Sequence, residues 1–154
     1  MICVAHGRSV EVWLHRQERP YKIEKPTNFR RFAVMFVSLD ASISATERSR
    51  LSKSTVNVGC RYVLISASNA KSWLGAMNIA FAECSPEEPF VTAISQKLLR
   101  GGEKDIYGAL EFFMLASIDG IQVTQFIVEL LAGSQQLESE VKDAVTAVIR
   151  DYNL

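Results

Sequence analysis

Apolar residues along the chain come in short unbroken runs, separated by longer stretches in which they recur every three or four positions. The runs are Phe32-Ala-Val-Met-Phe-Val37, Arg61-Tyr-Val-Leu-Ile-Ser66, Pro89-Phe-Val-Thr-Ala-Ile94 and Gln125-Phe-Ile-Val-Glu-Leu-Leu131. Continuous runs of this length are expected of strands covered on both faces in a parallel sheet. Four helices are predicted between and after them. Ser44-Ala-Thr-Glu47 matches the capping box that opens a helix, and Gly59 suits the left-handed residue that ends one. Ser68 or Asn69 can cap a second helix, with Trp73, Leu74, Met77, Ala80 and Phe81 on one face and an end near Cys84, before Pro86. A third is predicted from Glu103 to about Ser117, carrying Ile106, Leu110, Phe113 and Leu115, with Asp105 near its start favourable to the helix dipole. The last opens at Ser134 and aligns Leu137, Val141, Ala144, Val145 and Val148.

Ahead of these units, Ser9 to His15 alternates. Val10, Val12 and Leu14 share one side, and Glu11, Trp13 and His15 the other, as in a strand with one wet face. Pro20 and Pro26 bracket a polar stretch, Glu18 to Asn28, that reads as an extended connector. The first strand is expected at a sheet edge, or as an arm reaching a partner chain. Four strand–helix units in series favour a parallel sheet with right-handed crossovers. The expected fold is α/β, Rossmann-like or flavodoxin-like in three layers. Four core strands carry helices on both faces, beside an N-terminal edge strand. Residues 1–28 form the strand and connector arm, and 29–154 a single α/β domain, a length that can carry its own core.

Composition narrows the function classes. Seventeen basic and seventeen acidic residues cancel, whereas nucleic-acid binders usually show a basic excess. The one local excess is Arg16, Arg19, Lys22, Lys25, Arg30 and Arg31, diluted by Glu18 and Glu24 and accompanied by Tyr21 and Phe29. It reads as a solvated arm, with a weak contact to an anionic partner such as nucleic acid as the less favoured alternative. Cys3, Cys60 and Cys84 are odd in number and far apart, without a CxxC pair or a Cys/His ligand spacing, so neither a disulfide framework nor a metal site is expected. No apolar run reaches the roughly 18 residues of a membrane span, and the start of the chain is too short in apolar residues for a signal peptide. A cytoplasmic location and no cofactor are expected.

Arg31-Phe32-Ala-Val-Met-Phe-Val37, Glu47-Arg48 opening a helix, Gly59-Cys60-Arg61-Tyr62-Val63, and the aromatic helix Leu110-Glu111-Phe112-Phe113 before a last apolar strand together resemble a group of small bacterial proteins. That group is classed as a domain of unknown function with a Rossmann-like α/β fold. The likeness covers about Arg30 to Gly133. The family's second strand often runs into an Ala-Trp-Gly turn and its third into a Thr-Trp-His-type end. Here those stretches read Ile65-Ser66-Ala67-Ser68 and Ala93-Ile94-Ser95-Gln96. The resemblance implies a fold and supplies no activity.

In open parallel sheets, ligands bind at the carboxyl ends of the strands. That rule singles out Asp40, Ser66, Ser68, Asn69 and Ser95, with Ser38 and Gln96 nearby, as groups able to hold a phosphate or ribose beside helix N-termini. The same residues serve equally as turn formers and helix caps. There is no G-x-G-x-x-G, Walker A or G-x-S-x-G sequence. Gly101-Gly102 reads as a turn, because Glu103 and Asp105 would repel an anion. Cys60 reads as a small apolar filler, and Cys84 lies among Glu83, Glu87 and Glu88, which oppose a thiolate. His6 and His15 both lie in the N-terminal segment. Trp73 reads as core. Glu129 interrupts an apolar strand: buried, its carboxylate would need a partner and would mark a functional site, whereas an edge position with one exposed site explains it without chemistry and is the favoured reading.

No catalytic constellation emerges from the sequence. The expected function is a non-enzymatic binding or protein-interaction module, with a protein partner or self-association through the N-terminal strand or the terminal helix. The alternative is a nucleotide or phosphate domain, or an enzyme, with Asp40, Ser66, Ser68, Asn69 and Ser95 around a small anionic ligand.

Overall fold

The computed structural model describes residues 1–95 and 105–154. Each predicted apolar run forms a strand: β3 (Phe32–Ser38), β4 (Cys60–Ala67), β5 (Val91–Ile94) and β8 (Gln125–Leu131). Two more precede them, β1 (Ile2–His6) and β2 (Glu11–Gln17). The six make one sheet in the order β1-β2-β8-β3-β4-β5. β2, β8, β3, β4 and β5 run parallel, and only β1 is antiparallel to its neighbour. The alternating segment expected at an edge is therefore flanked on both sides. β1 takes the edge, because Gly7 to Val10 turns the chain back in a tight hairpin that leaves β2's far side for β8.

Two of the helices open on the serine caps legible in the sequence. α1 (Ala45–Asn57) opens with the Ser44 hydroxyl accepting from the Glu47 amide at 3.1 Å. The Glu47 carboxylate approaches Arg19, 3.5 Å away. α2 (Ala70–Cys84) starts at Asn69 without a side-chain cap, and α4 (Gln135–Tyr152) starts at Ser134, whose hydroxyl accepts from the Leu137 amide. α3 (Ile106–Met114) is capped by Asp105 and ends before the predicted Ser117. Instead Ser117–Ile118 (β6) and Ile121–Gln122 (β7) pair around Asp119-Gly120, both with positive φ. That is the Asp-Gly signature of a two-residue hairpin turn. Gln96, Gly101, Gly102 and Glu103 lie outside the described residues.

Strand residues alternate between two apolar clusters, one per sheet face. Ala33, Met35, Leu64, Phe126, Val128 and Leu130 pack with α3 and α4. Val34, Phe36, Ile65, Ile127 and Leu131 pack with α1 and α2. Trp73 is fully buried in the second cluster and stacks on Phe36, with centroids 5.3 Å apart. The connector contributes Tyr21 to the same cluster, and Phe29 joins it just past the connector's end, both buried.

Gly59 ends the turn after α1 at φ +102°, and a Cβ there would sit 2.6 Å from the Arg30 carbonyl oxygen. Gly59→Ala therefore combines left-handed strain with a backbone clash. The expected cost is about 1–3 kcal/mol, read as a lower urea midpoint with unchanged slope.

Candidate functional site

The carboxyl ends of the strands hold the residues singled out in the sequence, and Asp40 among them is drawn into a hydrogen-bond network. Asp40, just after β3, accepts from Arg19 Nε (2.7 Å), Tyr21 Oη (2.7 Å), the Ser42 amide (2.9 Å) and Ser42 Oγ (2.7 Å). Arg19 also donates to Ser42 Oγ at 2.8 Å. The Arg19 and Ser42 hydrogen bonds hold the Asp40 carboxyl well below the usual carboxylate range. Burial, reinforced by Asp40, pushes the Tyr21 hydroxyl up to about 12. The network fastens the connector to the end of β3.

Ser66 is fully buried on β4, and the Ser95 amide donates to Ile65 O at 2.9 Å, so these two residues lie at neighbouring strand ends. Ser68 is exposed, and Asn69 sits at the mouth of α2, where its backbone carbonyl accepts from Ser72 N. Asp40 is thus drawn into the connector, while the serines and Asn69 stay with β4, β5 and α2.

Sequence reasoning placed Glu129 at an exposed edge position, and the structure overturns this. β8 is central, and Glu129 is 1% exposed, facing β2 and β3 in register with His15 and Phe36. Period-two patterning cannot show strand order, so an acidic residue in an apolar run reads as an edge until its neighbours are known. Gln17 Nε2 donates to Glu129 Oε2 at 2.6 Å and to Lys22 O at 2.9 Å, and Gln17 Oε1 accepts from Lys22 N at 2.8 Å. His15 Nδ1 lies 3.2 Å from the same Glu129 oxygen. The approach is not a formed hydrogen bond, and His15 Nδ1 has no other partner among the described residues. Glu129 Oε1 has no partner among the described residues. Burial pushes the Glu129 carboxyl above the ordinary carboxylate range, against the opposing pull of His15 and Gln17.

Of the cysteines, Cys60 is fully buried and its thiol is pushed up to about 12 by burial, which fits an inert filler. Cys3 is exposed, and its sulfur lies with His6 and the Glu11 carboxylate in one group whose ligand atoms all fall within 4.8 Å of one another. Sequence spacing gave no sign of this cluster, because residues three apart on a regular strand face opposite sides.

An enclosed space lies at the other end of the strands, by the amino ends of β3 and β4. It is a cavity of about 190 Å³ with Arg31, Arg61, Glu88, Ile118, Ile121 and Val123 in its walls. Arg61 Nε donates to Glu88 at 2.5 Å and Arg61 Nη1 to Cys60 O at 2.7 Å, which fixes the guanidinium. Ile121, at the lip, is 66% exposed.

The buried Glu129 carboxyl sets a pH signature. Its folded pKa is raised, so between its unfolded and folded values the native state binds more protons than the unfolded state, and its contribution to stability falls as pH rises through that window. Glu129→Gln keeps an acceptor for Gln17 and removes the charge. Urea midpoints measured from about pH 5 to about pH 8 should show a flatter profile for the variant, with about 1–3 kcal/mol more stability at the upper end. An unchanged slope would remove Glu129 as its source.

Comparison of the chain with protein-family models, with curated proteins and with solved structures finds no match.

Proposed function

We propose that this protein is a non-enzymatic binding module, whose amino-edge cavity takes an apolar side chain of a protein partner with an acidic group beside it. The observation that carries the reading is the cavity itself. At about 190 Å³ it falls below the roughly 300–1,000 Å³ of cofactor and substrate pockets, and suits one anchoring side chain. Ile118, Ile121, Val123 and Pro89 supply apolar wall, and Arg31 supplies positive charge at the rim. Arg61 is already committed to Glu88, so Arg31 is the cation left to meet a partner's carboxylate. No helix among the described residues is long and apolar enough to cross a membrane.

The arrangement of helices supports a doubly wound, Rossmann-like three-layer fold: α1 and α2 supply one apolar cluster, α3 and α4 the other. The resemblance to the small bacterial Rossmann-like family agrees with that reading. Self-association through the terminal helix would have to unpack Leu137, Val141, Val145 and Val148, which the core already uses. Self-association through β1 would add a strand at an edge that a bulge interrupts, a common guard against such pairing.

A second reading keeps a small anionic ligand at the carboxyl ends. It is favoured by Ser38 Oγ and Ser66 Oγ, buried hydroxyls without partners among the described residues. A thermal-shift screen with nucleotides and inorganic phosphate separates the two, since a bound ligand at a hundred times its Kd adds roughly 2.7 kcal/mol. The binding-module reading expects no shift.

The direct test is an amide NMR titration with acetyl-Phe-Asp-amide and its acetyl-Phe-Lys-amide counterpart. Saturable shifts at Ile118, Ile121 and Val123 are expected with the acidic peptide, at a Kd on the order of 1 mM. Arg31→Glu should reverse the preference between the two peptides, and Ile121→Asp should weaken both. Shifts scattered over the surface, or none, would overturn the proposal.

A further inference from the structure

We infer that Cys3, His6 and Glu11 form a binding site for one divalent transition-metal ion of the zinc type, independent of the amino-edge cavity. The backbone explains why these three meet. Cys3 and His6 are three residues apart on β1 and would face opposite sides of a regular strand. The register between β1 and β2 slips between Cys3 and Ala5: Cys3 pairs with Trp13, and His6 pairs with Glu11. Trp13 and Glu11 are two apart on β2 and share a face, so the bulge brings Cys3 and His6 to that face as well. A one-residue irregularity at an edge thus re-aims a thiol towards an imidazole and a carboxylate.

The chemistry of the set fits a borderline cation. Thiolate, imidazole and carboxylate are all zinc ligands, and three protein ligands with a fourth position left open is the arrangement of sites that keep a water or an anion on the metal. Their ligand atoms lie within 4.8 Å of one another. Bonds of about 2.0–2.3 Å require separations of about 3.5 Å, so closing the site takes a shift of about 1 Å. Cys3 and His6 are exposed, and the contact that the Cys3 thiol donates to, Ala5 O at 3.6 Å, is long and must give way to that shift.

The surroundings are those of a held ligand. Trp13 Nε1 donates to one Glu11 oxygen at 2.8 Å and Asn28 Nδ2 to the other at 3.2 Å. Both donors are neutral, and no Lys or Arg among the described residues forms an ion pair with Glu11. An oriented carboxylate without a countercharge, beside a thiol and an imidazole, is the outer-shell arrangement that metal sites use. His6 and Glu11 also line a polar cleft of about 200 Å³ with Arg8 and Thr124, which leaves room for a small anion near the metal's open position.

The test is titration of the untagged full chain with Co²⁺, followed by Zn²⁺ displacement. Expected are one ion per chain, thiolate-to-cobalt charge-transfer absorption in the near ultraviolet, and a change in Trp13 emission that Trp13→Phe removes. Cys3→Ser should abolish the charge-transfer band. Glu11→Gln should weaken binding by about 10-fold or more. Cys84→Ser, at the other partly accessible cysteine, should change nothing. Because Cys3 is exposed, the Ser variant should keep its far-ultraviolet dichroism, so loss of the band reports the ligand and not the fold. Binding that survives both Cys3→Ser and His6→Ala, or no saturable binding, would overturn the inference.

Discussion

Placement of β8 between β2 and β3 is the constraint on which the other features depend. The chain lays down a hairpin, then β3, β4 and β5 in one direction, and only afterwards supplies the strand that joins the two halves. β8 pairs in parallel along its full length with β2 and along most of it with β3. Without it, β2 and β3 have no partner on their inner sides. The closing contact is remote: Gln17 and Glu129 are 112 residues apart. Such closure must overcome chain entropy before it gains pairing energy. The apolar residues of β8, buried on both faces, supply the compensating term, roughly 1.5–3 kcal/mol for each large side chain.

Central placement also explains the least expected polar group. A strand buried on both faces has no wet side, so any acid on it must find partners among its neighbours. Glu129 finds Gln17 and His15 on β2, and Gln17 in turn holds both backbone groups of Lys22. The buried carboxyl therefore helps fix where the connector leaves the sheet. Asp40 then fastens the same connector a few residues later through Arg19 and Tyr21. A segment with the composition of a loose polar arm is pinned at two points and places Tyr21 in the core, with Phe29 following at its end.

Strands and helices were legible wherever one segment carried its own signal. The S-x-x-E sequence of Ser44 and Glu47, the Ser134 cap and the four long apolar runs each formed the element they announce. What depends on neighbours was not legible. Ser9 to His15 reads as an edge strand because alternation shows only how many faces are wet, whereas Trp13 on its wetter side packs against the same cluster as Tyr21 and Ile23 of the connector. Asp119-Gly120 announces a hairpin, but the two-residue strands beside it are too short to interrupt a helical apolar pattern. The cysteine and histidine of β1 escaped for a related reason: a bulge is a property of pairing, absent from either strand alone.

The same distinction bears on where function resides. The rule that ligands sit at the carboxyl ends of parallel strands rests on loops that leave a crevice there. In this fold the connector reaches those strand ends, where Arg19 and Tyr21 supply two of the four hydrogen bonds on Asp40 and Ser42 supplies the other two. At the amino ends, β6 and β7 stand away from the sheet on a two-residue turn, and their side chains wall a cavity without filling it. The edge walled by a short hairpin keeps both its apolar surface and its arginine.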